Sequence, residues 1–498
     1  MLRKVIILFL VGFVGGMVMT ISVQGKSLKR VLSETFIARI DTSLWVPRSF
    51  RASPDSRLIS YAIKEDNSYF LVVSGKQEKK YDDIRYPVVF SPDSRRVAYA
   101  AKEDDKWFVV LNGDEARKYD GIGAGGLVFS SDSKRLAYPA KEGKKWFVVV
   151  DGEEGKRYDQ IGYPVIFSPD SRRLAYRAKG GEKWFVVVDG EEQKEYYDLG
   201  YSVIFSPDSK RIAYKAKEGN NYFVVVDGKE GKQCKGLWRG TPIFSPDSRR
   251  VAYAGFVSGK VVVVVDEKED MRFDAISTVV FSPDSKRVGY VVQAGKRYDR
   301  IGVDTVGNLS VIIPHSRQVA DSGQTDVRWL AVVDEVEGKR YDNIANGTLV
   351  FSPDSKQVAY VGVTFTGNKQ CVVVDGKEDK SYHATMEGTP IFSPDSKRLA
   401  YAAEDNDMWF VVVDGKEGKY YDGIGLGSMI FSQDSRRLAY AAVNGDKWYV
   451  VVDGKKGKRY DGIITTEGAR IVFDSPDSLH YLARWGDNIY LVEEMIKQ

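Results

Sequence analysis

The sequence predicts an all-β protein, a β-propeller of about twelve four-stranded blades, and three observations carry that prediction. A Ser-Pro-Asp-Ser-like turn recurs about every 39 residues, with its Asp at Asp55, Asp93, Asp132, Asp170, Asp208, Asp247, Asp284, Asp354, Asp395, Asp434 and Asp477. A degenerate copy, Pro314-His315-Ser316, falls in the gap between Asp284 and Asp354. Each turn is followed by a segment in which apolar and polar residues alternate, and later by a run, such as residues 184–188, that is apolar at every position. Alternation marks a strand, and an unbroken apolar run suits a strand covered on both faces. Self-similarity at this period signals stacked repeats, and they fill the chain from about residue 36 to its end.

Residues 1–25 differ from the rest. Arg3 and Lys4 precede an apolar run over residues 5–23, and small residues lead up to Gly25. A basic start, an apolar stretch and a small residue before the cut make a secretory signal, so the protein is expected in the periplasm or outside the cell. An uncleaved membrane anchor over residues 5–23 is the alternative. No Cys stands there to carry a lipid.

One regular unit, residues 163–200, shows the elements in order. Residues 164–167 form a short apolar strand, and in Ser168-Pro169-Asp170-Ser171 the Pro presets one backbone angle while Ser and Asp bond nearby backbone. Residues 173–179 alternate as a second strand, and Gly180-Gly181 breaks it. Residues 184–188 are the third strand, Asp189-Gly190 opens a hairpin turn, and residues 194–199 form a more polar fourth strand. Phe-Ser-Pro-Asp-Ser, Arg-Leu-Ala-Tyr and Trp-Phe-Val-Val-Val-Asp-Gly together resemble the WD-like propeller repeat of TolB-type proteins. The resemblance implies the fold. It does not imply the TolB role, because the repeats leave no stretch for the α/β domain that accompanies the TolB propeller, and propellers host unrelated tasks.

The last repeat stops after its third strand, and residues 36–40 are expected to supply the fourth and seal an otherwise open edge. Propellers typically hold four to eight blades, so the reading favours two six-bladed rings, residues 36–275 and 276–498, with one large closed ring as the alternative. The disturbed stretch is 290–340, where the seventh repeat is expected to lack its apolar third strand.

The chain carries 73 basic and 69 acidic residues, a net charge of +4. They are spread through every repeat without a basic stripe, which excludes nucleic acid as the expected partner and reads as solvated loop charge. Cys234 takes a slot held by Tyr119 and Tyr158 in other repeats, and Cys371 one held by Phe108 and Phe147, so both are expected to be free and buried.

Loops after strands one and three are nearly uniform, whereas those after strands two and four differ from repeat to repeat. These two sets open on opposite faces of a blade, so variation is concentrated on one face, the expected place for recognition. Trp238 and Arg239 are the foremost binding candidates because exposed Trp and Arg suit a hot spot, followed by Arg85, Tyr86 and Met386. The Trp residues that recur in third strands (Trp107, Trp146, Trp184, Trp329, Trp409, Trp448) read as core between blades.

No catalytic or metal-binding residues are assigned and no cofactor is expected. The three histidines, His315, His383 and His480, sit at different repeat positions, and zinc-protease, paired-Cys and hydrolase motifs are missing. The repeated Asp-Gly-Lys-Glu-Gly-Lys departs from the ligand spacing of a calcium loop and reads as a hairpin turn. The expected function is an exported, non-enzymatic scaffold binding a protein or glycan in the cell envelope, touching the membrane only through the alternative anchor. A propeller lyase or hydrolase with a site at the channel mouth, such as a metal-dependent sugar lyase, is the alternative.

Overall fold

The computed structural model describes residues 17–19, 29–41, 43–123, 126–277, 279–294, 328–333 and 336–497. The signal or anchor expected within residues 1–25 lies outside them except for Met17–Met19, which pair with residues 32–34. The chain is a β-propeller. Among the described residues its strands make eleven antiparallel sheets, here blades 1 to 11, and the first strand is either continuous over eight residues, as at Asp83–Phe90, or split into short pieces. In chain order blades 1 to 6 span residues 51–81, 83–115, 121–154, 160–192, 198–230 and 236–273, and blades 7 to 10 span 275–337, 343–382, 384–421 and 423–460. Blade 11 combines residues 462–497 with residues 29–39. First strands of neighbouring blades approach one another, which places them around the central axis.

Eleven sheets stand where twelve repeats were expected, and the difference lies in blade 7. Its second strand, Val288–Ala294, pairs directly with Arg328–Val333, with Gln293 opposite Trp329. The seventh repeat therefore keeps its apolar third strand, carried by Trp329-Leu330-Ala331-Val332-Val333, and residues 295–327 separate the two strands in sequence. The degenerate Pro314-His315-Ser316 lies outside the described residues.

The uniform turns hold blade to blade. In the turns of blades 1 to 10 the first Ser hydroxyl donates to the Asp carboxylate, as Ser168 does to Asp170 at 2.6 Å. The Asp N–H then donates to the last Ser of the next blade's turn: Asp170 to Ser209, Asp247 to Ser285 and Asp284 to Ser355, each at 2.9 Å. The last of these steps from blade 7 to blade 8 across 71 positions, so no blade intervenes. The Arg that follows the turn reaches the same neighbour, Arg173 donating to Ser209 O at 3.1 Å and stacking 5.2 Å from the Phe205 ring. Much of the basic charge expected to be solvated thus joins blades.

Two six-bladed rings would need blade 6 to pack on blade 1. Instead Val263 and Val265 of blade 6 share a core with Val288 and Tyr290 of blade 7, and the chain of turn contacts continues through blade 10. Arg437 of blade 10 pairs with Asp477 of blade 11, and Arg470 N of blade 11 donates to Ser56 Oγ of blade 1 at 3.0 Å. Among the described residues the contacts between neighbouring blades run from blade 1 to blade 11 and return to blade 1.

Closure follows the expectation and extends it. The strand Lys29–Arg39, longer than the anticipated residues 36–40, pairs with Asn488–Lys497 as the fourth strand of blade 11. Arg30 pairs with the fully buried carboxylate of Glu494, and Tyr460 donates to Glu34 at 2.6 Å. The Tyr460–Glu34 bond repeats a contact seen between other blades, such as Tyr196 to Glu230 at 3.0 Å and Tyr341 to Glu378 at 2.8 Å. The Glu of Asp-Gly-Lys-Glu-Gly-Lys therefore caps the neighbour's Tyr. The Asp-Gly itself is a tight hairpin turn, with φ of 54° at Asp189 and 88° at Gly190.

Candidate functional site

The residues read as a loop after strand four are the start of the next blade's first strand. Asp198–Phe205, for example, pairs with the second strand of blade 5 at both ends and is irregular between Leu199 and Val203. In several blades an Asp before the irregularity holds the hairpin between strands two and three on the same face: Asp159 accepts from Gly181 N at 2.8 Å and Asp461 from Gly486 N at 2.6 Å. The variable face is therefore lined by first-strand irregularities framed by variable hairpins.

The five candidates all lie at these irregularities, in three separate blades. Arg85 and Tyr86 belong to blade 2. The Arg85 guanidinium stacks 4.1 Å from the Trp107 ring and donates to Ile122 O of blade 3. Tyr86 is half-buried against the core between blades 1 and 2, and burial pushes its hydroxyl well above the ordinary phenol range. In blade 6 Trp238 is half-buried, tilted against Phe256 at 6.1 Å, and Arg239 is exposed. Met386 of blade 9 is partly buried against the core it shares with blade 10. Trp238, Tyr86 and Met386 thus serve packing as well as the surface, and Arg85 and Arg239 are the polar members.

Sequence reasoning missed two cations between them. At the fourth position of the second strand most blades carry a small or aliphatic residue, such as Ala100, Ala254 or Val361, but blade 4 has Arg177 and blade 5 has Lys215. The signal was there, as Leu-Ala-Tyr-Arg-Ala among copies reading Leu-Ala-Tyr-Ala-Ala. Arg177 is buried and donates to Tyr163 O at 2.7 Å and to Leu199 O of blade 5 at 3.2 Å. Its guanidinium lies 5.1 Å from the ring of Tyr201, which is 83% exposed. Lys215 donates to Trp238 O of blade 6, and burial, then the charge of Arg239, lowers its pKa to about 8.

A second concavity, of about 460 Å³, lies at the seam of blades 11 and 1, lined by Trp45, Phe50, Ile464 and Ile489 with Arg48 and Arg484. Among the described residues no group of three or more His, Cys, Asp or Glu is placed to hold a metal, and no helix is long and apolar enough to cross a membrane. Cys234 and Cys371 are free and buried, as expected.

The chain matches no protein-family model and no curated protein. Among solved structures it is similar to a eukaryotic initiation factor, at 16% identity and a TM-score of 0.37, over 72% of this chain and 95% of that one. It is similar to TolB from Acinetobacter baumannii at 17% identity and a TM-score of 0.24, over 45% of this chain and 61% of that one. The β-propeller domain of the Trilobed protease from Pyrococcus furiosus gives 14% identity and a TM-score of 0.28, over 68% and 97%.

Proposed function

We propose that this protein is an exported, non-enzymatic scaffold, a single ring of eleven blades whose variable face binds a protein or glycan partner in the cell envelope. One observation carries the reading: the two faces divide their labour. On the uniform face the Ser, Asp and Arg of most turns are occupied by the neighbouring blade, as with Asp170, Ser209 and Arg173. On the other face the repeats differ from one another, and exposed side chains such as Tyr201 and Arg239 lie at the first-strand irregularities. Side chains held by a rigid frame without a structural task are suited to recognition.

Photo-crosslinkers placed at Arg239 on the variable face and at exposed Arg172 on the uniform face test this in intact cells. Adducts are expected from Arg239 alone; equal labelling from both sites, or none from either, would overturn the reading. N-terminal sequencing of the protein from the envelope fraction is expected to begin at Lys26, and recovery only from the cytosol would sink the export assignment.

A further inference from the structure

Resting on that reading, we propose that the channel-mouth sector of blades 4 to 6 is a binding site for an acidic polysaccharide, with Tyr201 as the platform for a sugar ring and Arg177, Lys215 and Arg239 as partners of its carboxylates. The sector is built for long cations. A Cβ added at Gly162 would stand 3.0 Å from the Arg177 guanidinium carbon, and one added at Gly200 would stand 2.8 Å from Lys215 Cβ. The glycines of these two first strands leave the space in which the two side chains lie.

The cations lack the partners that others in the chain have. On the nearby rim Lys145 pairs with Asp159 at 2.7 Å, Lys183 with Glu218 at 2.8 Å and Lys260 with Asp274. Among the described residues Arg177, Lys215 and Arg239 pair with no carboxylate, and the buried Nε of Arg177 has no hydrogen-bond acceptor. Asp198 acts on Arg177 through its charge, but its Oδ1 accepts from Leu199 N at 2.8 Å. Burying positive charge without a directly paired carboxylate is costly, and the same loss of solvation pulls the Lys215 ammonium down. A bound carboxylate offsets both.

The aromatic surface selects the class of anion. Tyr201 presents its ring to solvent beside the Arg177 guanidinium, so one ligand reaching both needs an apolar face and a negative charge a few ångströms apart. A uronic acid has both, in its C–H face and its carboxylate. An acidic peptide adding as a strand is disfavoured because Pro164 and Pro242 and the irregularities of the first strands interrupt their inner edge. The export signal argues against nucleic acid.

Calorimetric titration of the mature protein with polygalacturonate, neutral galactan, polyglutamate and oligothymidylate, at low and high salt, decides the matter. Polygalacturonate is expected to bind, more weakly at high salt, and galactan is not. Tyr201→Ala, Arg177→Gln and Arg239→Gln are each expected to weaken binding by about tenfold, the scale of one hydrogen bond to a charged group. Tyr201 and Arg239 are exposed, so those two variants keep the parent melting temperature. No binding of polygalacturonate, equal binding of galactan, or equal binding of polyglutamate or oligothymidylate unaffected by Tyr201→Ala would overturn the proposal. If crosslinking from Arg239 persists in that case, the scaffold reading stands and only the sugar assignment falls.

Discussion

The backbone N–H of Asp93 in blade 2 donates to the side-chain oxygen of Ser133 in blade 3 at 2.9 Å, and the same donor and acceptor recur from blade to blade. Ser133 adopts a φ of 62°, which turns its hydroxyl toward the preceding blade. Neighbouring blades are therefore joined by a directed bond as well as by apolar packing. Ser133→Ala leaves a part-buried N–H without its side-chain acceptor and is expected to lower stability by about 0.5–1.5 kcal/mol. A urea midpoint equal to that of the parent would show the bond to be dispensable.

Arg30 and Glu494 make the corresponding join at the seam. The Glu494 side chain is fully buried, and it also accepts from Tyr481 at 2.5 Å. Arg30→Ala strands a buried carboxylate, for which a loss of about 3–5 kcal/mol is expected. The double variant Arg30→Met, Glu494→Met is expected to melt above Arg30→Ala, since removing both charges spares the unpaired one. Thermal denaturation of the three proteins checks the order.

The turn carboxylates predict how the protein fails in acid. Asp93, Asp132, Asp170, Asp208, Asp354, Asp395 and Asp434 are held below the usual carboxylate range, first by the Ser hydroxyl two residues earlier, and Asp434 falls to about 2. A group with a depressed folded pKa stabilises the protein above its unfolded value, about 4 for Asp, and loses that contribution as pH falls through the folded value. Urea midpoints are therefore expected to stay level down to about pH 4 and then drop toward pH 2. A midpoint that holds from pH 4 to pH 2.5 would contradict the assignment.

Lys215 predicts the opposite slope in base. Its folded pKa of about 8 lies below the unfolded value, so between about pH 8 and pH 10 the unfolded chain binds more protons and stability rises with pH. Lys215→Met removes that rise. The gap in stability between parent and variant is expected to change across this window and to be flat from pH 6 to pH 7, as followed by urea denaturation.

How much was legible follows from what repeats. The turns, the alternating second strand and the apolar third strand are local patterns, and eleven near-copies of Ser-Pro-Asp-Ser made them unmistakable. The missing fourth strand at the end of the chain pointed to the N-terminal segment, because an unpaired edge needs a partner. The first strand was harder to read. Its start reads in sequence as a polar fourth strand and loop, since Asp198, Leu199 and Gly200 lack alternation, and the pairing of Asp198 with Lys217 and of Leu199 with Ala216 is followed by an irregularity.

By itself, then, the sequence determined the unit: four strands, their turns, the buried Cys234 and Cys371, and the closing segment. Tertiary structure decided how the described strands pair and which blades touch. The strand at Trp329 belongs to blade 7 because its backbone pairs with Val288–Ala294, and spacing along the chain holds no record of a partner that 33 or more residues separate. It also placed the residues of the candidate site: Arg177 and Lys215 are single departures from the repeat, and where they point depends on the carbonyls of Leu199 and Trp238 in the neighbouring blades. Local chemistry fixes strands and turns, whereas contacts between blades choose how many close the ring and which side chains meet at its mouth.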